Sequence, residues 1–210
     1  GSMAGAKIDA LNTAIQEAVP LVQKVMENHP EVRIFMRVIR FASSAQWHVG
    51  PAPVPIEQFS WPLLSAGGGT DTGGAIRLLC QALDLEQMPK RGLPPVILLV
   101  SDGFANSETD YHGALNQLKA LAWGKKSVRI AIAIGNETEY DEKELHLFNS
   151  DPEFRVLKPK TIQDIIDVIK WASTMASLAS SQSKMSSTDN AYIIKMPPPP
   201  VQFQNNADVF

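Results

Sequence analysis

The chain has 210 residues, enough for one domain with a proper core and a tail. Hydrophobic residues make up 44% and charged residues 20%, with a formal net charge of −3, so bulk electrostatics invite neither nucleic acid nor an anionic membrane. The single cysteine, Cys80, excludes an intrachain disulfide framework, and no apolar run is long enough to span a bilayer. The opening Gly1-Ser2-Met3-Ala4-Gly5 has no basic stretch and apolar core, so no signal peptide is expected; a bacterial-type cytoplasmic protein is the simplest expectation.

Between Lys7 and Asn28, Ile8, Leu11, Ile15, Val19, Val22 and Met26 recur at steps of three and four. This spacing predicts a helix with one buried stripe, crossed by Pro20. Val32 to Ala42, rich in β-branched and aromatic residues but interspersed with Arg33, Arg37 and Arg40, predicts a partly exposed strand. Pro51, Pro53, Pro55 and Pro62, with Trp47 and Trp61, mark a loop-rich stretch with at most a short strand around Trp47. The glycine-rich run Gly67 to Gly74 leads into a helix expected from Ala75 to Leu85. Val96 to Val100 is wholly apolar, as in a central parallel strand covered on both faces, and ends at Ser101-Asp102-Gly103.

Tyr111 to Leu121 reads as a helix and Val128 to Ile134 as a second buried strand ending at Gly135. A short helix is expected from Asp141 to Asn149 and a short strand from Phe154 to Leu157. Thr161 then caps a helix running to about Leu178, burying Ile162, Ile165, Ile166 and Ile169. Strands alternating with helices imply an α/β domain over residues 1–179: a doubly wound, mostly parallel sheet with helices on both faces. Residues 180–210 read as a flexible Ser/Pro-rich tail. Tyr192-Ile193-Ile194 is its only sticky segment, and Pro197–Pro200 reads as a spacer.

In open parallel sheets, ligands bind at the carboxyl ends of the strands. Asp102 directly follows a buried strand, and Thr70 and Asp71 lie in the glycine-rich loop. A carboxylate and hydroxyls on adjacent loops suit a hard cation such as Mg²⁺, and are the wrong set for zinc or copper. Taken singly, the plainer reading of each is a strand-end turn and a tight glycine connection. Asp71 and Thr72 flank Thr70, placed to reach a metal through water. His29, His48, His112 and His146 are scattered and read as surface or satisfied residues. Cys80 reads as core packing, and Trp47, Trp61 and Trp123 as core or loop anchors.

Gly1 to Ile8 resembles the back half of the Asp-x-Ser-Gly-Ser-Met signature that opens von Willebrand factor A domains. Gly68-Gly69-Thr70 is similar to that family's threonine loop, and Leu98-Leu99-Val100-Ser101-Asp102-Gly103 to its aspartate loop. Trp123-Gly124-Lys125-Lys126 followed by Val128 to Gly135 resembles the bacterial tellurite-resistance branch. The resemblance runs from residue 1 to about 178, with the motifs in the family's order. It implies a metal-ion-dependent adhesion site, in which an acidic group of a partner completes the shell of a divalent cation. Carried over residue by residue, the ligands would be Ser2, Thr70 and Asp102, holding Mg²⁺ or alternatively Mn²⁺ or Ca²⁺. The resemblance also implies a protein partner, a kinase or phosphatase in stress signalling.

The match departs from the family in three ways. The leading Asp-x-Ser is absent. Gly1-Ser2 reads equally as an expression scar ahead of Met3. Asp102-Gly103-Phe104-Ala105-Asn106 lacks the Pro-Thr-Asp that often follows the aspartate. The family's opening strand lies mid-sheet, and from Gly1 onward it is missing; unpaired groups there would cost about 1–3 kcal/mol each if buried. Either that strand lies upstream of Gly1, or the expected fillers are Ala191–Lys195 or a partner's strand, the last making a homo-oligomer one outcome. A metal-independent scaffold of the same fold is therefore the second functional reading. A Mg²⁺-dependent nucleotide hydrolase is the third, since Gly68 to Gly73 resembles the phosphate loop of tubulin-like GTPases. No Gly-x-x-x-x-Gly-Lys-Ser/Thr loop, nucleophile elbow or catalytic triad supports it, so no enzyme is expected.

Overall fold

A computed structural model of the chain describes residues 3–27, 33–88, 92–101, 110–135 and 140–182. The first helix, α1 (Ala6–Glu27), takes Pro20 within its length, on its exposed side. Its buried stripe serves two parts of the core. Leu11, Ala14 and Ala18 pack on one part of the core, and Val19, Val22 and Met26 on another.

Strands β1 (Phe35–Phe41) and β2 (Ala45–Pro55) form an antiparallel hairpin with Phe41 opposite Ala45 and Phe35 opposite Pro55. The proline-rich stretch is therefore mostly strand, longer than the short segment expected around Trp47. Proline is tolerated on a strand at the edge of a sheet, where missing N–H groups cost nothing. A short 3-10 turn (Ile56–Gln58) follows, its Ile56 N–H donating to Ile34 O at 2.9 Å.

Helix α2 (Thr72–Ala82) starts earlier than expected because the Asp71 carboxylate caps it and draws Gly73 and Gly74 into the first turn. At one end Asp71 N–H donates to Ala42 O at 2.8 Å, and at the other Arg37 Nη1 donates to Ala82 O at 2.9 Å. So α2 runs back along β1. The chain then enters β3 (Val96–Ser101).

Helices α3 (Tyr111–Ala120) and α4 (Ala122–Lys126) lead to β4 (Val128–Ala133), which pairs with β3 in parallel and in register, Val96 opposite Val128 and Ser101 opposite Ala133. The short α4 carries no periodic signal of its own. Helix α5 (Glu142–His146) follows, and the strand expected at Phe154–Leu157 reduces to one parallel bridge between Leu157 and Ile132. Helix α6 (Ile162–Gln182) starts as expected: Thr161 Oγ1 accepts from Asp164 N–H at 3.1 Å, while Asp164 Oδ2 accepts from Thr161 N–H at 2.9 Å. It runs beyond Leu178.

Alternation along the strands divides the core. Val96, Leu98, Val100, Val128, Ile130 and Ile132 face α1 and α6, with Ile165, Ile166, Val168 and Trp171 above them. Ile97, Leu99, Ala131 and Ala133 face the other side, where Ile76 and Cys80 of α2 and Leu115 and Leu118 of α3 cover them. Helices thus lie on both faces of the parallel β3–β4 sheet, which is separate from the antiparallel β1–β2 hairpin. No helix among the described residues is long and apolar enough to cross a membrane.

Candidate metal centre

The threonine loop hangs from the β1–β2 turn. Gly69 N–H donates to Ser43 Oγ at 3.2 Å, and Ala45 N–H to Asp71 Oδ2 at 3.2 Å. Gly68 adopts φ +80°, and a Cβ there would lie 2.4 Å from Ser43 Oγ, so only glycine lets the loop approach the turn this closely. Upstream, the loop is held to α1 by Asn12, buried at 7% exposure. Its Oδ1 accepts from Leu64 N–H and Trp61 Nε1–H, both at 2.9 Å, and its Nδ2 donates to Leu64 O at 2.9 Å. Neither Asn12 nor Ser43 carries a sequence signal for this work, since their partners lie far along the chain.

Within this frame Thr70 is half-buried and its hydroxyl has no hydrogen-bond partner among the described residues. Asp71 differs. Oδ1 accepts from Gly74 N–H at 2.8 Å and Oδ2 from Ala45 N–H, so both oxygens already serve the helix cap and the turn. Thr72 is buried at 3% exposure in the first turn of α2. Asp71 and Thr72, expected to reach a metal through water, are thus engaged in the cap and the first turn of α2.

Ser2 and Asp102, the other two expected ligands, lie outside the described residues. The points flanking Asp102's loop are described. Ser101, buried at the carboxyl end of β3, accepts through its carbonyl from Ile134 N–H at 3.0 Å. Asp110, in a left-handed conformation at φ 48°, caps α3 by accepting from Gly113 N–H at 3.0 Å. Arg77 of α2 donates to Asp110 Oδ2 at 3.0 Å. Ser101, which precedes Asp102, thus sits at a strand end, and Asp110 lies against the helix that the threonine loop leads into. A free hydroxyl oxygen at this edge suits a hard divalent cation, which takes few protein ligands and keeps its waters. Among the described residues no three His, Cys, Asp or Glu side chains gather as a metal cluster.

The remaining residues singled out from sequence are structural. His48 contacts Pro62 O at 2.7 Å and stacks edge-on with Trp61, His146 contacts Pro152 O at 3.2 Å, and His112 pairs with Glu144 at 3.0 Å. His29 lies outside the described residues. Trp123 is buried in the core. Cys80 is buried too; desolvation raises its thiol pKa above the ordinary value, Arg77 opposing, which makes it a poor nucleophile.

No protein-family model matches the chain, and no curated protein matches it at significant similarity. Solved structures do. A von Willebrand factor type A protein from Catenulispora acidiphila aligns at TM-score 0.57 and 14% identity, over 81% of this chain and 38% of its own. Proximal thread matrix protein 1 from the mussel byssus aligns at TM-score 0.51 and 16% identity, over 80% of this chain and 40% of its own. The chain thus spans less than half the length of either structure. At these identities the likeness concerns architecture, and the architecture of this chain is the von Willebrand factor A fold.

Proposed function

We propose that the chain is a protein-binding module, not an enzyme, that grips an acidic group of another protein through a divalent cation. Mg²⁺ is the cation proposed, with Mn²⁺ and Ca²⁺ as alternatives. Thr70 and Asp102 would supply protein oxygens, with Ser2 as a third, and the partner's carboxylate would complete the shell. The observation that supports this most is the half-buried Thr70 hydroxyl, free among the described residues while its neighbour Asp71 is committed to backbone N–H groups. The wider setting proposed from the tellurite-resistance resemblance is cytoplasmic bacterial stress signalling, with a kinase or phosphatase as partner.

Calorimetric titration of Mg²⁺ and Mn²⁺ into the chain tests this. Heat is expected in the wild type. Thr70→Ala should weaken binding by about 10- to 100-fold, the range seen when groups supporting a metal shell are lost, and Asp102→Ala should abolish it. No heat in the wild type, or equal heat in both variants, would sink the metal reading. Nucleotide hydrolysis with Mg²⁺ that disappears in Asp102→Ala would instead make the chain an enzyme.

A second reading, a metal-independent interface of the same fold, draws on one observation: β1–β2 and β3–β4 are separate two-stranded sheets. It expects partner binding to survive a chelator.

A further inference from the structure

Arg129 carries a positive charge into the interior at the amino end of β4, opposite Ile97. Ser101 lies at the other end of the pair, about 13 Å away along the strands. Arg129 is 5% exposed, yet only two of its three guanidinium nitrogens are taken. Nε donates to Phe148 O at 3.0 Å, and Nη1 donates to Gly124 O and, at 3.0 Å, to Ser127 Oγ. Nη2 has no partner among the described residues and is not sealed from water, so the little surface that Arg129 keeps includes this NH₂ group. An idle guanidinium nitrogen, fixed by its two engaged neighbours, is a preset donor for an oxyanion.

A second cation is held at the same point. A Cβ added to Gly124 would lie 1.8 Å from Leu118 O, so α4 folds directly onto the last turn of α3, an approach only glycine permits. Gly124 O therefore holds the guanidinium beside Leu118 and its neighbour Lys119. Lys119 is exposed, and its ammonium has no partner among the described residues. Desolvation, and then the charge of Arg129, hold that ammonium below the ordinary lysine range, and desolvation lowers the Arg129 guanidinium too. Lys125 and Lys126 of α4 add to the field, Lys126 lying over the Trp123 ring at 5.6 Å. The chain's net charge is −3, yet no described carboxylate pairs with Lys119, Lys125, Lys126 or Arg129. Like charges gathered without a counter-ion repel, and an anion docked among them would relieve that cost.

We propose that this junction of α3, α4 and β4 binds a phosphate-type dianion, with Arg129 Nη2 and Lys119 Nζ as its charged donors. Two arguments select this ligand class. The first is charge: two neighbouring cations match a phosphoryl group, which carries about −1.5 to −2 at neutral pH, better than they match a singly charged carboxylate. The second is the number of acceptors. A phosphoryl group presents three strong acceptor oxygens, so one can take the guanidinium N–H and another the ammonium while the third stays in water. Free phosphate and a phosphorylated side chain share this chemistry.

The inference stands apart from the metal reading, and its test involves no metal. Inorganic phosphate is titrated into the full-length chain at constant ionic strength while amide and arginine side-chain NMR signals are followed. Saturable shifts are expected at the Lys119 and Gly124 amides and at Arg129 Nε–H, and acetate at the same concentrations should produce none. Lys119→Gln should weaken binding by about tenfold, the loss of one charge-assisted hydrogen bond at an exposed position. Lys170→Gln, at an exposed position on α6, should leave it unchanged. Lys119 is exposed, so its variant keeps the fold and carries the test without any change at Arg129. Absence of saturable shifts, equal affinity in Lys119→Gln, or acetate binding as well as phosphate overturns the proposal. Phosphoserine then separates the two sources. Binding at least as tight as that of inorganic phosphate assigns the site to a phosphorylated side chain, and binding of the inorganic ion alone assigns it to free phosphate.

Discussion

Replacing Asn12 with alanine is expected to destabilise the fold by about 2–4 kcal/mol, because it strips three hydrogen bonds from one buried side chain. The Leu64 N–H and C=O and the Trp61 Nε1–H would lose their partner together, and water reaches them only in part. For a chain of this length that corresponds to a melting temperature lower by roughly 5–15 °C. The neighbouring Thr13→Ala is the control. Thr13 Oγ1 only bonds back to Asp9 O at 2.9 Å within the helix, so its loss should stay within about 0.5 kcal/mol. If the two variants melt together, the clamp on residues 61–64 is not holding the fold. The same substitution should weaken Mg²⁺ binding without touching a ligand, since those residues lead into the loop that carries Thr70.

Arg129→Ala should cost about 3–5 kcal/mol, the sum of a large cavity and orphaned acceptors. Arg129 is 5% exposed and is the second residue of the parallel strand β4. Its Nε donates to Phe148 O at 3.0 Å, and its Nη1 to Ser127 Oγ at 3.0 Å and to Gly124 O. The partners are carbonyls and a hydroxyl, so the charge is solvated by dipoles, and burial pulls the guanidinium pKa below its usual value. Burying such a charge is costly in itself. Arg129→Met, which fills the volume and removes the charge, should therefore recover about half of the loss. Urea unfolding of the three proteins checks this. A methionine variant as unstable as the alanine one would mean that the hydrogen bonds, not the filling, hold α4 and the 148–150 segment against β4.

Different physics made different parts of this molecule legible from sequence. Val96–Val100 announced itself by being apolar throughout, and Val128–Ile134 by being apolar at all positions but Arg129, the pattern of strands covered on both faces. The helices showed their 3.6-residue stripe, and Thr161 and Asp164 a reciprocal cap. What was misjudged is where local composition and position in the sheet disagree. The β2 strand carries prolines that an edge position tolerates, Gly73 and Gly74 are helical because Asp71 caps them, and Phe154–Leu157 pairs at one residue only. Of the loop that carries Thr70, the glycine run Gly67 to Gly69 was legible in the sequence. Asn12 and Ser43 were not: each is an ordinary polar residue whose partner lies more than 20 positions away. Arg129 looked like a polar interruption in an apolar run, with nothing local to say that carbonyls would receive it.

The separation of the two sheets has a mechanical meaning. Thr70 is carried by one leaf, tied to the β1–β2 turn, and Ser101 by the other, at the end of β3. Helices α1 and α2 pack on both leaves, so the span between the leaves sets how far Thr70 lies from Ser101. A cation held from both leaves would favour one span, and any contact that favours the same span would strengthen its binding by the same factor, since linkage is reciprocal. Mg²⁺ should then slow amide exchange at Val96, Leu98 and Val100, residues remote from any ligand; unchanged exchange would show that the leaves are already locked.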